Sequence, residues 1–172
     1  MKRALKKIIP APLWKRLSMF RKRFMLEYRI DGRGERLDMS LRRLPPFEAM
    51  SVYERSHFRR YEFACQFVKK GDLCGDFACG TGYGTAMLAD KGKGALGIDI
   101  DKRVVRDVRK RYADRANVAF RHQDLLDLSL REELDAVVSF ETIEHFHEKD
   151  IPKLFANFSR ALRPGGLFIF ST

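Results

Sequence analysis

The sequence predicts an α/β protein, a parallel sheet with helices on both faces. Three observations carry this. From Leu73 onward, short apolar runs alternate with stretches of helical periodicity, the pattern of βαβ units. The first apolar run, "LCGDFA", leads into the glycine loop "CGTGYG" and then into a helical stretch. The later helical and apolar stretches are separated by turn residues, above all Pro164-Gly165-Gly166.

Element by element, strands are expected over 73–78, 94–100, 117–122, 134–140 and 167–172. Helices are expected over 83–92, 101–115 and 148–166, the first and last stopped by glycine. Upstream, Phe58, Tyr61, Phe63, Cys65 and Phe67 fit one or two helices ending at Gly71. Before them, turn residues from Asp31 to Pro45-Pro46 read as a linker. The organisation is thus a basic amphipathic extension and linker, 1–46, followed by a ligand-binding domain, 47–172.

The charge is unevenly placed. Residues 1–72 carry 19 Lys and Arg against 8 Asp and Glu, whereas residues 73–172 carry 15 of each. The surplus belongs to the extension, which suggests a partner of its own. Residues 1–26 hold nine basic residues and no acid, and Leu13, Leu17, Phe20 and Phe24 recur at helical spacing. Three readings compete: contact with an anionic membrane surface, binding of RNA or another polyanion, and packing on its own domain. A transit peptide is a fourth, while charges interrupting every apolar run exclude a secretory signal. No apolar run is long enough to span a bilayer. Cys65, Cys74 and Cys79 lack zinc-type spacing and read as buried, reduced thiols of a cytoplasmic protein.

The glycine loop points to a ligand. In an open α/β sheet the first strand-to-helix turn lies at the carboxyl edge, where ligands bind. Asp76, four residues before Gly80, suits an amine or hydroxyl and would repel a pyrophosphate. Asp99 closes the next strand, where a carboxylate suits a ribose diol. Gly80, Gly82 and Gly84 are followed by Thr85, which departs from the dinucleotide fingerprint. The ligand reads as an adenosine carrying an ammonium group.

"DFACGTGYG", "GIDID", "RHQDLLDL", "VVSFETIEHF" and "LRPGGLFIFST" together resemble, in order and spacing, the motifs of class I S-adenosylmethionine-dependent methyltransferases, over about residues 57–172. The resemblance implies a Rossmann-like doubly wound sheet of order 3-2-1-4-5, with S-adenosyl-L-methionine as cofactor. It implies that Asp76, Gly80 and Gly82 line the methionine part, with Ala78 in the same turn. Asp99 would hold the ribose and Ile100 the adenine face. Asp124 and Leu125 would read the adenine amino group, and Phe140 and Glu141 would lie beside the sulfonium. Arg60 and Tyr61 fit a segment that closes over the cofactor. Gly75 departs from the large aliphatic residue usual there.

In "ETIEHFH", a helical turn would set Glu141, Glu144 and His145 on one face, and the same arrangement resembles metal-binding positions in some O-methyltransferases. Many relatives carry such a stretch without metal, so no metal is assigned. Glu141 and His145 are the candidate catalytic residues, His145 as a base for an acceptor hydroxyl. The stretch "SFET" replaces the motif of exocyclic-amine DNA methyltransferases. The expected acceptor is therefore an oxygen or carbon on a small molecule, glycan or lipid-linked intermediate, and nucleic acid is disfavoured. A non-catalytic binding module and an RNA methyltransferase are the competing readings. Strands six and seven of the family's sheet are expected to be absent. That would leave the fifth strand as an edge open to an oligomeric or partner chain.

Overall fold

A computed structural model describes residues 47–172. The expectations for residues 1–46, including the basic amphipathic stripe, lie outside the described residues. Five strands form one wholly parallel sheet: β1 (Leu73–Phe77), β2 (Gly94–Asp99), β3 (Val118–His122), β4 (Leu134–Ser139) and β5 (Leu162–Phe170). Their order is β3-β2-β1-β4-β5, as the sequence predicts. The helices are α1 (Val52–Cys65), α2 (Tyr83–Lys91), α3 (Lys102–Arg111) and α4 (Ile151–Ala161).

Alternation along the strands decides which helix packs where. Cys74 and Asp76 of β1, with Ala136 and Val138 of β4, are buried on one face. Their small volume lets α1 and α2 approach, through Tyr61, Ala64, Leu88 and Ala89. Phe77 and Val137 point to the other face and meet Leu154 and Phe158 of α4. Between β3 and β4 a short 3-10 turn, Leu125–Asp127, stands in place of a long helix, and buried Leu125, Leu128 and Leu130 fill the space. α3 seals the β2–β3 side, with Val105, Val108 and Tyr112 against Phe120.

Local sequence sets the ends. Ser51 and Glu54 form a reciprocal capping box at α1, and Asp101 caps α3 through Arg103 and Val104 N–H. Pro152 sits in the first turn of α4, where its missing N–H costs nothing. α1 stops at Cys65, short of the Gly71 expected, so Phe63 and Phe67 are exposed and pack on each other at 5.0 Å.

β5 differs most from expectation. The helix before it ends at Ala161, and the strand takes in Arg163-Pro164-Gly165-Gly166. The register jumps there: Leu134 faces Leu162, whereas Ala136 faces Leu167. The proline and glycines are the bulge that absorbs the shift. Asp135 pins the spot by accepting from Arg163 Nη1 at 2.6 Å and from the Leu73 N–H at 2.7 Å.

Two glycines are space requirements. A Cβ on Gly75 would meet Leu134 Cδ1 at 2.6 Å, so the large side chain expected here is supplied by its neighbours. A Cβ on Gly84 would sit 2.0 Å from the Tyr61 ring. Gly84 is therefore the seat that lets α1 lie on α2. Gly84→Ala is expected to lower the unfolding free energy by about 1–3 kcal/mol through overpacking. Urea denaturation, with near-ultraviolet circular dichroism reporting the tyrosines, measures it.

Candidate functional site

The carboxyl ends of all five strands meet on one edge, and the candidate residues gather there. The chain leaves β1 through Ala78, whose φ of +64° is left-handed although the residue is not glycine. The Ala78 and Cys79 N–H groups both donate to Ile98 O, at 2.8 and 3.0 Å, binding the turn to β2. Gly82, at φ +77°, then starts α2, and a Cβ there would meet the Phe120 ring at 2.8 Å. Only glycine satisfies both conditions.

Asp99 organises the outer half of this loop. It is 6% exposed; its Oδ2 accepts from Gly80 N–H at 3.0 Å and its Oδ1 from Asp101 N–H at 2.9 Å. One carboxylate thus fixes the glycine loop to the end of β2 and to the cap of α3. Beside it Ile100 is exposed, an apolar side chain left open on this edge. The half-buried Asp124 accepts from Leu126 N–H at 2.8 Å, capping the 3-10 turn that holds buried Leu125. Asn157 of α4 donates to both Leu125 O and Leu126 O at 2.8 Å and sets that turn in place.

Asp76 lies deeper. It is wholly buried; its Oδ1 accepts from Tyr61 Oη at 2.9 Å and its Oδ2 from Thr85 Oγ1 at 2.6 Å. Burial pushes its carboxyl up to about 6, while the two hydroxyl bonds oppose the shift. Thr85 enters the sequence reading only through its spacing; its work as a donor to Asp76 is visible only in the fold. Tyr61 is itself buried and touches Tyr83 and Phe140 edge-on, at 5.1 and 5.0 Å. Hence Tyr61 is a strut under the loop, joining α1, α2 and the end of β4. Burial likewise pushes up the thiols of Cys65, to about 11, and Cys74, to about 12, and all three cysteines are unpaired, buried thiols.

Beyond β4 the structure corrects one expectation. Glu141 takes φ +49°, and only Ile143–His145 form a 3-10 turn. Glu141, Glu144 and His145 therefore do not line one helical face. Among the described residues no group of three His, Cys, Asp or Glu is placed to hold a metal ion. Glu141 turns inward, 3.3 Å from Arg60 Nη2, and accepts from Ser171 Oγ at 2.7 Å. His145 is exposed. Glu144 is half-buried with Oε2 unpaired, and burial raises its carboxyl above the ordinary range.

A doubly wound sheet, a glycine loop after its first strand and acids in the first two strands define a nucleoside-cofactor-binding α/β domain. The chain belongs to the methyltransferase-domain family, whose model matches residues 75–166. A protein of Mycolicibacterium smegmatis named as a probable S-adenosylmethionine-dependent methyltransferase is 36% identical over 123 residues, 69% of this chain and 46% of that protein. The chain thus spans about half the length of the curated relatives it matches. Among solved structures, the PH0226 protein of Pyrococcus horikoshii is similar at 30% identity and a TM-score of 0.62, covering 71% of this chain and 58% of that one. The N-methyltransferase NodS of Bradyrhizobium japonicum, solved with S-adenosyl-L-homocysteine, shares the fold at 23% identity and a TM-score of 0.61, covering 73% of this chain and 61% of that one. The residues present fit S-adenosyl-L-methionine. Exposed Ile100 offers an apolar face beside Asp99, and the acid of β1 lies beneath the loop. No described helix is long and apolar enough to cross a membrane.

Two outcomes follow from this geometry. Ala78→Gly removes the left-handed strain and is expected to stabilise the protein by up to about 1 kcal/mol, read by urea denaturation. Asp76 is the second. Its folded-state value, about 6, lies above the ordinary 3.8, so the folded state holds the proton more tightly. The associated stability is complete below about 3.8 and is lost as pH rises through about 6. Asp76→Asn removes this dependence. The variant's unfolding free energy should gain on the wild type by about 2 kcal/mol between pH 4 and pH 7. A difference that stays flat across this range would contradict the burial argument.

Proposed function

We propose that the protein transfers the methyl group of S-adenosylmethionine to an oxygen or carbon acceptor on a small molecule, glycan or lipid-linked intermediate. The observation that carries the cofactor half is the pair of carboxylates under the glycine loop: dry Asp76 and loop-fixing Asp99. The acceptor half rests on the β4 end. "SFET" there offers Glu141, with His145 exposed nearby, in place of a nucleobase-amine motif.

When bound, the cofactor supplies a methyl group already activated by its sulfonium. The chain supplies position. Asp99, with its remaining lone pairs, would hold the ribose hydroxyls while keeping Gly80 in place. Asp76 would supply the negative field for the ammonium through the Tyr61 and Thr85 hydroxyls it orients. Ile100 would lie against the adenine, and Asp124, with Leu125 beside it, would read its amino group. Phe140 closes the strand end with an apolar wall, which excludes water from a displacement that gains from a dry, aligned approach. His145, exposed at that end, would take the proton of an acceptor hydroxyl.

Calorimetric titration of S-adenosylmethionine into the full chain tests the cofactor half, with NADH as control. Asp99→Ala should weaken binding about tenfold or more, the worth of hydrogen bonds to a charged group. Wild-type binding of NADH but not S-adenosylmethionine would overturn the proposal. Transfer of a labelled methyl to an acceptor set of alcohols, phenols and activated carbons, read by mass spectrometry, tests the other half.

A further inference from the structure

The edge of the sheet opposite the glycine loop carries an arrangement of its own. β1 starts at Leu73 and β2 at Gly94, and these two residues are register partners, so the turns before them lie side by side. The first turn follows α1 and presents Phe67, Lys69 and Lys70. The second closes α2 and presents Lys91 and Lys93. The Lys93 N–H donates to Asp72 O at 2.9 Å and ties the two turns together. All four lysines are exposed. Phe63 and Phe67 are 44% and 47% exposed, with their rings edge to face at 5.0 Å.

The needs of the fold account for little of this. A cation in a last helical turn complements the helix dipole, which explains Lys91 alone. The acids nearby are engaged elsewhere. Asp72 accepts from the Lys69 N–H at 2.8 Å, Asp90 pairs with Arg115, Glu62 with Arg59, and Asp135 with Arg163. Among the described residues none of the four lysines enters an ion pair. Four uncompensated ammonium groups therefore surround a pair of exposed aromatic rings.

The charges call for an anionic surface, and the rings call for an apolar layer just beneath that charge. Lysine stems hold their ammonium groups at headgroup level while apolar neighbours go deeper. The two rings pack on each other instead of standing apart to stack bases, and none of the four cations is an arginine, the residue that forks phosphate and base edges. We propose that this amino edge docks the protein on an anionic phospholipid surface, with Phe63 and Phe67 at the headgroup boundary and Lys69, Lys70, Lys91 and Lys93 on the lipid headgroups. The contact goes beyond the methyl-transfer reading and does not depend on it. β1 is five residues long, so the glycine loop lies about 17 Å away at the other end of the strand. The docked protein keeps its cofactor mouth toward water.

Vesicle sedimentation with the full chain tests the docking, using phosphatidylcholine vesicles with and without about one-quarter phosphatidylserine. Binding should require phosphatidylserine and weaken as salt rises. Lys69→Gln combined with Lys70→Gln should weaken it about tenfold or more, at about fivefold for each lysine. Phe67→Ser should weaken it about fivefold. Circular dichroism checks that both variants are folded, and their S-adenosylhomocysteine affinity should stay within about twofold of wild type, because the loop lies at the far edge. Wild-type indifference to phosphatidylserine overturns the proposal. Undiminished vesicle binding by either variant also overturns it, and by both would assign the contact to residues 1–26. Losses on polyuridylate equal to those on vesicles would assign the edge to nucleic acid and overturn it too. A wild-type chain that docks on vesicles but binds no S-adenosylhomocysteine defeats the cofactor reading and leaves the docking standing.

Discussion

The buried carboxylate of Asp76 is the constraint on which the rest depends. A charge removed from water must be hydrogen-bonded, and here the partners come from two helices, Tyr61 of α1 and Thr85 of α2. Meeting that demand fixes how α1 lies on α2, which in turn requires the absence of a side chain at Gly84. The small residues Cys74, Ala136 and Val138 on the same sheet face leave room for the approach. One ionisable group thus dictates the packing of a whole face, and the opposite face, filled by Phe77, Val137 and Phe158, carries the ordinary hydrophobic load.

Asp76 and Asp99 divide the work by environment. Asp76 is sealed, and burial holds its proton affinity high. Asp99 lies nearer the surface and accepts one backbone N–H on each oxygen. The first can respond to a cation arriving above it, since a nearby positive charge favours its ionised state. The second serves as a fixed post for the loop. Two acids twenty-three residues apart in β-strands become a tunable charge and a rigid anchor.

Much of the sheet was readable because short apolar runs and glycine stops are local signals. β1, β2, β3 and β4 each fall within a residue or so of their expected ends. The glycine loop, Asp76 and Asp99 were likewise visible as a constellation. The misreadings arise where a local signal had two meanings. Pro164-Gly165-Gly166 reads as a helix stop, yet it forms the bulge of β5, because the register of β4 demands extra chain there. "ETIEH" reads as one helical face, yet Glu141 is pulled into left-handed backbone with Arg60 and Ser171 as its side-chain partners, both distant in sequence. Spacing along the chain carries no information about such pairs. Thr85 and Gly84 were visible as letters but not as roles, since Tyr61 must be in place before either has one.

The distribution of unpaired polar atoms then separates the site into a finished and an unfinished half. On the nucleoside side the carboxylates of Asp99 and Asp124 both hold backbone N–H groups, and Asn157 ties down the turn that carries Leu125. That half is hydrogen-bonded before anything binds, so a nucleoside there would meet little ordering cost. On the other side His57, Arg60, Tyr83 and Glu144 each keep a buried atom without a partner, around a glutamate in left-handed backbone. Such groups lose nothing further when a polar ligand arrives, because their desolvation has already occurred in folding. On the proposed function, selectivity for the acceptor would reside in this second half, and affinity for the nucleoside in the first. This division lets one fixed glycine loop serve a cofactor whose reactive centre lies between the two.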